Sequence, residues 1–287
     1  MGGKVETRRQ FLGKGVGATA LAGAVGLARA RGSAAAPKPT SSSRKPMPLG
    51  LPTYMFKHYN LDQTIEMAKR VNVRHICLRS NLLPLSATDE QIAASVGKTK
   101  RASLVPYAGG VIYMRDEKAA RRAFQYAKVA GFKLITISPR PNLLPLLDKL
   151  VRKYDIKAAI HNHGPEDKAY PTPVAVYQKV KKLDKRIGIC HDTGHTQRAG
   201  MDPAETTSKV ADRLMDIHLK DVDAPTRKGR STELGRGVVD IPKFLRTLLE
   251  INYPGVVGIE YEKLMTDILP GLAESVGYTR GVLAALD

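Results

Sequence analysis

Ile187-Gly-Ile-Cys-His-Asp-Thr-Gly-His195 joins a short apolar run to two ionisable side chains. The run from Ile187 to Cys190 has the length and the β-branched content of a buried strand. Asp192 and His195 follow where that strand would meet a loop. A carboxylate and an imidazole at the end of a buried strand indicate a metal site or a site of proton transfer. The next question is whether other strands end in similar residues.

From Leu49 onward the chain repeats one unit, a short apolar run followed by a loop and an amphipathic helical pattern. The predicted strands are Leu49–Met55, His75–Arg79, Leu104–Ala108, Leu134–Ser138, Lys157–His161, Ile187–Asp192, Leu214–Leu219 and Val256–Tyr261. The predicted helices are Leu61–Val71, Glu117–Ala130, Leu143–Tyr154, Pro173–Leu183, Pro203–Ala211 and Ile241–Ile251. Eight such units in about 240 residues predict an α/β fold, a (β/α)8 TIM barrel. A doubly wound sheet is the alternative, but no G-x-G-x-x-G turn follows the first strand. We assign the barrel to residues 48–287.

The first 36 residues have the pattern of a twin-arginine-type signal peptide. Arg8 and Arg9 precede Phe11 and a Gly- and Ala-rich apolar run at residues 13–27. That run is short and rich in small residues, so we expect no stable membrane span, with an uncleaved anchor as the alternative. Residues 37–47 are rich in Pro and Ser and predict a linker. We therefore expect export, for example to the periplasm.

The formal net charge of +19 is typical of many nucleic-acid-binding proteins, but its distribution argues against that class. Residues 1–48 carry nine Lys or Arg and only Glu6 as an acid. The remaining basic residues form no dense tract with interleaved aromatic residues, so we expect no nucleic-acid partner. Cys77 and Cys190 lie in apolar runs without C-x-x-C spacing, which indicates two buried small hydrophobic residues. The sequence leaves a homo-oligomer open.

A barrel of this kind carries its active site at the C-terminal ends of the strands. In chain order, these ends offer Tyr54 and Phe56; Arg79; Tyr107; Ser138 and Arg140; His161 and His163; Asp192 and His195; His218, Lys220 and Asp221; and Glu260. His, Asp and Glu without a thiolate suit Mn²⁺, Co²⁺, Mg²⁺ or Zn²⁺. Side chains alternate along a strand, so His191 is expected to face the surrounding helices as a structural residue.

Several segments at these strand ends resemble the xylose isomerase-like TIM barrel superfamily, which includes sugar phosphate isomerases and epimerases and the endonuclease IV class. The segments are Ala159-Ile-His-Asn-His-Gly164, Cys190-His-Asp-Thr-Gly-His195, Asp216-Ile-His-Leu-Lys-Asp221, Leu234-Gly-Arg-Gly-Val-Val-Asp-Ile241 and Gly258-Ile-Glu-Tyr-Glu262. The resemblance covers the chain from Leu49 to the C-terminus.

The resemblance implies one divalent ion, most often Mn²⁺, held in the ketose epimerases of that family by Glu, Asp, His and Glu. The matching positions are His161, Asp192, His218 and Glu260. His161 departs from the family, which has Glu at this position. The family's two glutamates exchange a proton on opposite faces of the substrate. Here Glu260 remains, and its partner would be His161, His163 or His195.

The resemblance also implies how the substrate is held. His195 matches the substrate-contacting histidine of the family. Lys220 either binds a carboxylate, phosphate or enediolate oxygen or pairs with Asp221. We expect Arg79 and Tyr107, at the ends of the second and third strands, to contact substrate as well. The predicted catalytic residues are Glu260, His195 and His163.

We therefore predict a metal-dependent isomerase or epimerase that acts on a small-molecule carbohydrate, a sugar or a keto-sugar, by proton transfer next to a carbonyl. The alternative is a lyase or hydratase on 3-keto glycosides, which would use the same metal site. A barrel that binds sugar without turnover is a further alternative. An apurinic endonuclease is disfavoured, because its three zinc ions need histidines where this chain has Arg79 and Tyr107.

Overall fold

The structure, a computed structural model, describes residues 47–286. Its strands are β1 Leu49–Pro52, β2 His75–Leu78, β3 Val105–Met114, β4 Leu134–Pro139, β5 Lys157–His161, β6 Ile187–Asp192, β7 Leu214–Leu219, β8 Asp221–Val222, β9 Ser231–Thr232 and β10 Val257–Ile259. Its α-helices are α1 Leu61–Arg70, α2 Asp89–Arg101, α3 Glu117–Ala130, α4 Leu144–Tyr154, α5 Pro173–Val180, α6 Thr193–Arg198, α7 Pro203–Lys209, α8 Ile241–Glu250 and α9 Leu269–Leu286. Short 3₁₀ helices span Thr53–Phe56, Pro141–Leu143 and Ala211–Arg213.

Eight of the strands close into one parallel barrel in the order β1-β10-β7-β6-β5-β4-β3-β2. The predicted (β/α)8 barrel is therefore confirmed. The remaining two strands, β8 and β9, form a small antiparallel hairpin after β7. The predicted signal peptide, and the predicted linker apart from Met47, lie outside the described residues.

Helix α3 shows why these segments fold as they do. Asp116 caps its first turn, where the side chain accepts a hydrogen bond of 2.8 Å from the Ala119 amide. Gly131 ends the helix in a left-handed conformation with φ of 72°. One face is apolar and packs on the barrel, through Ala120, Ala123, Phe124, Ala127 and Ala130. No helix within residues 47–286 is long and apolar enough to cross a membrane.

Strand β3 is longer than the predicted segment, which ended at Ala108. It continues through Gly109 and Gly110 to Met114. These glycines do not mark a turn. A Cβ at Gly109 would lie 2.7 Å from the ring of Phe132, so the missing side chain lets α3 and the following loop pack closely against the strand. The end of β3 is therefore Tyr113 and Met114 rather than Tyr107.

Candidate metal centre

Four side chains from four adjacent strands converge at the C-terminal end of the barrel. His161, Asp192, His218 and Glu260 each offer one ligand atom, and these atoms lie within 4.8 Å of one another. His161 Nε2 is 3.0 Å from His218 Nδ1, and His218 Nδ1 is 3.1 Å from Glu260 Oε2. All four residues are buried. The structure thus brings together the four residues that the sequence assigned to a metal ion.

The register of the barrel produces this convergence. In the parallel ladder Asp192 is paired with His218, and Gly258 on β10 is also paired with His218. Glu260 follows β10 and its amide donates to the Leu219 carbonyl of β7, at 2.9 Å. Because alternate residues of a strand share a face, the ladder points these side chains to one place.

The donor set fits a divalent ion. It contains two imidazole nitrogens and two carboxylate oxygens, which suit Zn²⁺, Mn²⁺ or Co²⁺. Asp192 Oδ2 is buried and accepts no hydrogen bond from the residues that the structure describes. A buried carboxylate oxygen needs a cation beside it, and the Lys220 ammonium at 3.3 Å supplies one such charge. Because Oδ2 accepts no hydrogen bond from the described residues, its lone pairs are available to a metal ion. His161 would bind through Nε2 and His218 through Nδ1, the two nitrogens that face the carboxylates.

Lys220 supplies positive charge next to the same carboxylates. Its ammonium lies 3.3 Å from Asp192 Oδ2, 3.4 Å from Glu260 Oε2 and 2.7 Å from Glu262 Oε2. Burial favours the neutral amine, but the three carboxylates outweigh it and raise the pKa of Lys220 well above its usual range. Lys220 is therefore a buried cation, and it pairs with these acids.

The carboxylates are correspondingly ionised. Burial opposes the charge of Asp192, but Lys220 and His195 hold its pKa well below the usual value. Burial likewise opposes ionisation of Glu260, and Lys220 and His218 lower its pKa. The site therefore presents two anionic oxygens, as a metal ligand set requires at neutral pH.

The two histidines of the set differ in protonation. Burial, together with the neighbouring His163, moves the pKa of His161 well below its usual value, so His161 is neutral. Burial also opposes protonation of His218, but Glu260 raises its pKa above the usual value. A divalent ion that binds His218 would displace this proton.

His195 and His163 border the four-residue cluster. The His195 ring centroid is 5.9 Å from that of His161, and its amide donates to Asp192 Oδ1 at 2.7 Å. Burial lowers the pKa of His195 to about 4. His163 lies 4.5 Å from His161 between ring centroids, and its Nε2 is 3.2 Å from the Tyr113 hydroxyl. Both imidazoles are thus close enough to the centre to contact a bound substrate.

His191 is buried on the other face of β6, as predicted. Its Nδ1 lies 2.9 Å from the Thr207 hydroxyl and its Nε2 lies 2.9 Å from the Thr196 hydroxyl. Asp221, which the sequence left as a partner for Lys220, instead accepts hydrogen bonds from the backbone amides of Gly235, Gly237 and Val239. Both residues therefore stabilise the barrel scaffold through these hydrogen bonds and do not belong to the metal centre.

Arg79 and Tyr107 are placed differently from the histidines. The Arg79 guanidinium lies 3.7 Å above the Tyr54 ring, directly after β2, at the same end of the barrel as the centre. Tyr107 is not brought to that end. Its ring packs edge-on to His75, which begins β2, and a Cβ at Gly50 would lie 3.1 Å from it. This position follows from the additional length of β3, which places Tyr113 at the mouth.

Several residues near the centre were not identified from the sequence. Glu262 follows Glu260 by two positions, so strand alternation alone predicts that it shares the same face. Arg198 follows His195 by three positions on α6, the spacing of neighbours on a helix surface. Asp216 precedes His218 by two positions on β7, so strand alternation likewise predicts that it shares the face of His218. It is buried, accepts a hydrogen bond of 2.8 Å from Thr136 Oγ1, and lies 3.7 Å from His218 Nε2.

Comparison with known proteins gives two kinds of match. The family model described as xylose isomerase-like TIM barrel matches residues 57–280. An inosose dehydratase from Clostridium beijerinckii is 26% identical over 137 residues, which are 41% of this chain and 44% of that protein. An inosose dehydratase from Geobacillus kaustophilus is 32% identical over 92 residues, 27% of this chain and 30% of that protein. The chain thus spans less than half the length of these curated relatives.

A solved structure of a D-tagatose 3-epimerase-like protein has the same fold. It superposes with a TM-score of 0.68 over 84% of this chain and 98% of that chain, at 17% sequence identity. The closed parallel barrel and the matching family model indicate the same family. The chain belongs to the xylose isomerase-like TIM barrel family.

Proposed function

We propose that this protein is a metal-dependent enzyme that removes a proton from a carbon next to a carbonyl group in a sugar or a related polyol. One observation carries the proposal, the convergence of two imidazoles and two carboxylates within 4.8 Å of one another at the barrel mouth. A divalent ion in such a site acts as a Lewis acid that polarises carbonyl and hydroxyl oxygens of the substrate.

The residues of the chain supply the proton transfers. Glu260 is ionised and lies at the mouth, so it can accept the proton from carbon. Lys220 is protonated and 3.4 Å from Glu260, so its charge would stabilise the enolate that results. The apolar barrel interior beneath them lowers the local dielectric constant, which strengthens these interactions.

For the fate of the enolate, we propose elimination. Its electrons form a carbon–carbon double bond while the hydroxyl group on the next carbon takes a proton and leaves as water. Two features support this reaction. His161 stands where the two-base epimerase pattern has glutamate, and both curated relatives described above are named inosose dehydratase. The proton for the leaving group would be the one that Glu260 has taken from carbon, so the elimination balances without a second acid.

Isomerisation or epimerisation is the second candidate, and one observation favours it. Burial lowers the pKa of His163, so its imidazole is neutral and able to accept or return a proton. It lies 4.5 Å from His161 between ring centroids and has the Tyr113 hydroxyl beside it. His163 would then take a proton from a substrate hydroxyl group and deliver it to carbon on the face opposite Glu260, and Glu260 would return its proton to that oxygen.

The test is NMR spectroscopy of the full chain in D₂O with three substrate classes, which are inososes, 3-keto glycosides and ketoses. The protein is loaded with Mn²⁺ for turnover and exchanged to Mg²⁺ or Zn²⁺ for spectra. We expect deuterium exchange at the carbon next to the carbonyl in at least one class. Loss of water or of an aglycone identifies the elimination. Deuterium in a recovered sugar or its epimer identifies the second candidate.

A matched pair of variants separates chemistry from general damage. Asp192→Asn removes a ligand from the centre and should abolish exchange. Asp212→Asn changes an aspartate in the 3₁₀ helix before β7, whose side chain is 65% exposed, and should leave exchange unchanged. Absence of exchange with all three substrate classes in the metal-loaded wild type would refute the proposed function and favour a barrel that binds sugar without turnover.

A further inference from the structure

Arg198 makes a contact that determines where His195 can carry its proton. Arg198 is the last residue of α6, and 16% of its side chain is exposed. Its Nη1 lies 3.1 Å from His195 Nδ1. Its Nη2 donates to Glu166 Oε1 at 2.6 Å and to the Arg227 carbonyl at 2.7 Å. These two anchors hold the guanidinium in place against the imidazole.

The chemistry of the two groups leaves one arrangement. A guanidinium has five N–H donors and no acceptor, and it stays protonated in proteins. The ring nitrogen that faces it must therefore be the acceptor, so Nδ1 of His195 carries a lone pair. The proton of the neutral ring then resides on Nε2, because a neutral imidazole has one donor and one acceptor nitrogen.

The nitrogen with the proton points toward the metal centre. His195 Nε2 is 3.9 Å from Asp192 Oδ2, which is beyond hydrogen-bond length, and it makes no hydrogen bond within residues 47–286. About a fifth of the side chain is exposed. The Nε2–H group is therefore available to an oxygen of a molecule bound at the mouth.

The loop after β5 holds the ring from a second side. Gly164 has φ of 81°, and a Cβ built there would lie 3.1 Å from Nδ1 of His195. A side chain at this position would press on the nitrogen that accepts from Arg198, and an L residue would be strained at this φ. The loop backbone and Arg198 together restrict the orientation of the imidazole.

We infer that Arg198 is a positioning residue that fixes His195 as the Nε2–H tautomer, and that His195 acts as a hydrogen-bond donor to a carbonyl or hydroxyl oxygen of the substrate. The sequence predicted His195 as a catalytic and substrate-binding residue without distinguishing base from donor. A lone pair turned to a guanidinium cannot accept a proton from substrate, so the ring polarises oxygen rather than deprotonating carbon. The substrate part of the inference rests on the proposed function, whereas the tautomer does not.

The test is long-range ¹H–¹⁵N NMR spectroscopy of the full chain labelled with ¹⁵N-histidine, since the two neutral tautomers give different nitrogen shifts. The His195 signals are assigned by their loss in His195→Gln. We expect the Nε2–H pattern in the wild type and in Arg198→Lys, because an ammonium also only donates. In Arg198→Met we expect a mixture of tautomers and a fall in kcat of about 10- to 100-fold with little change in KM.

Arg227→Met is the matched control. Arg227 lies 3.4 Å from the same Glu166 carboxylate but its side chain is 71% exposed and does not touch His195. It should leave both the tautomer and turnover unchanged. An Nδ1–H pattern for His195 in the wild type, or an unaltered Nε2–H pattern in Arg198→Met, would overturn the inference.

The outcome is separable from that of the proposed function. An Nε2–H tautomer in a protein that exchanges no substrate proton would refute the proposed function and leave the Arg198 contact established. Deuterium exchange in a protein whose His195 is the Nδ1–H tautomer would support the proposed function and refute the inference about Arg198.

Discussion

The two halves of the barrel differ in what their strands end on. The four strands β5, β6, β7 and β10 end on or run directly into buried ionisable side chains, which are His161, Asp192, Lys220 and Glu260. Strands β1 to β4 end on Pro52, Leu78, Met114 and Pro139, and the ionisable residues that follow three of them, Arg79, Arg115 and Arg140, are not buried. We call these the metal half and the apolar half. A buried charge is tolerated only beside an opposite charge, so ionisable residues concentrate rather than spread around the ring. Under the proposed function, the metal half carries the chemistry while the apolar half supplies packing.

The largest expected effect is on catalysis by the metal half. Glu260→Gln should lower kcat by about 10² to 10⁴-fold, because it removes the carboxylate that accepts the proton and one ligand of the centre. The measurement is the rate of deuterium exchange from D₂O into substrate. The control is Glu250→Gln at the exposed end of α8. Equal exchange rates in Glu260→Gln and Glu250→Gln would contradict the assignment of catalysis to the metal half.

The next effect is on stability. Lys220→Met should lower the free energy of unfolding by about 3 kcal/mol, because it leaves Asp192 and Glu260 buried without their cation. A bound divalent ion should restore part of this loss, since it binds the folded state. The measurement is urea unfolding with Mn²⁺ and with EDTA.

Leu147→Ala gives the matching perturbation in the apolar half. Leu147 is fully buried on α4, and its truncation should cost about 2–5 kcal/mol through the cavity that it leaves. Mn²⁺ should stabilise this variant no more than it stabilises the wild type. If Mn²⁺ instead restores Leu147→Ala and has no effect on Lys220→Met, the two halves do not differ as described.

A smaller effect is expected from a residue behind the ring of ligands. Asp216 lies 3.7 Å from His218 Nε2, the nitrogen that faces away from the centre. Asp216→Asn should weaken Mn²⁺ binding by about 10- to 100-fold, because a carboxylate behind a ligating histidine fixes its orientation. Isothermal titration calorimetry measures this change, with Asp212→Asn as the control. Unchanged affinity would show that Asp216 serves only the packing of the barrel interior.

The smallest effect concerns acid stability beside the centre. Burial opposes ionisation of Glu233, but the Lys263 ammonium at 2.9 Å and the Tyr261 hydroxyl, also at 2.9 Å, lower its pKa to about 2. A depressed pKa means that the stabilisation is complete above about pH 4.5 and is lost as the pH falls toward 2. Glu233→Gln should remove about 1 kcal/mol of this pH-dependent stability, since Lys263 is half exposed. Thermal unfolding at pH 3 and pH 7 measures the difference, and a parallel loss at both pH values would contradict it.

The contrast between the halves also explains what could be predicted from the sequence. In the metal half, ionisable residues at the ends of apolar runs mark the strand ends, so Asp192 and His218 were assigned to the right places. In the apolar half the third predicted strand has no such marker, and it was predicted to end at Ala108, before Gly109. The real role of Gly109 is to admit the Phe132 ring at a distance that no side chain would allow, a tertiary contact that leaves no periodic pattern.

Side-chain contacts around the centre were predictable to different degrees. Strand alternation places Glu262 on the face of Glu260, and helix spacing places Arg198 beside His195. Helix α2 was not predicted, because its buried residues Ile92, Val96 and Thr99 form only a weak apolar stripe. The export signal lies outside the described residues and stays a prediction.

The central claim is that His161, Asp192, His218 and Glu260 hold one divalent ion. Metal analysis of the purified full chain, together with His218→Gln and its matched control His75→Gln at the opposite end of β2, tests it most directly. We predict one divalent ion per chain in the wild type and in His75→Gln, and a large loss of metal in His218→Gln. A wild-type protein that retains no stoichiometric ion after incubation with Mn²⁺, Co²⁺, Mg²⁺ or Zn²⁺, or equal metal content in both variants, would contradict the claim.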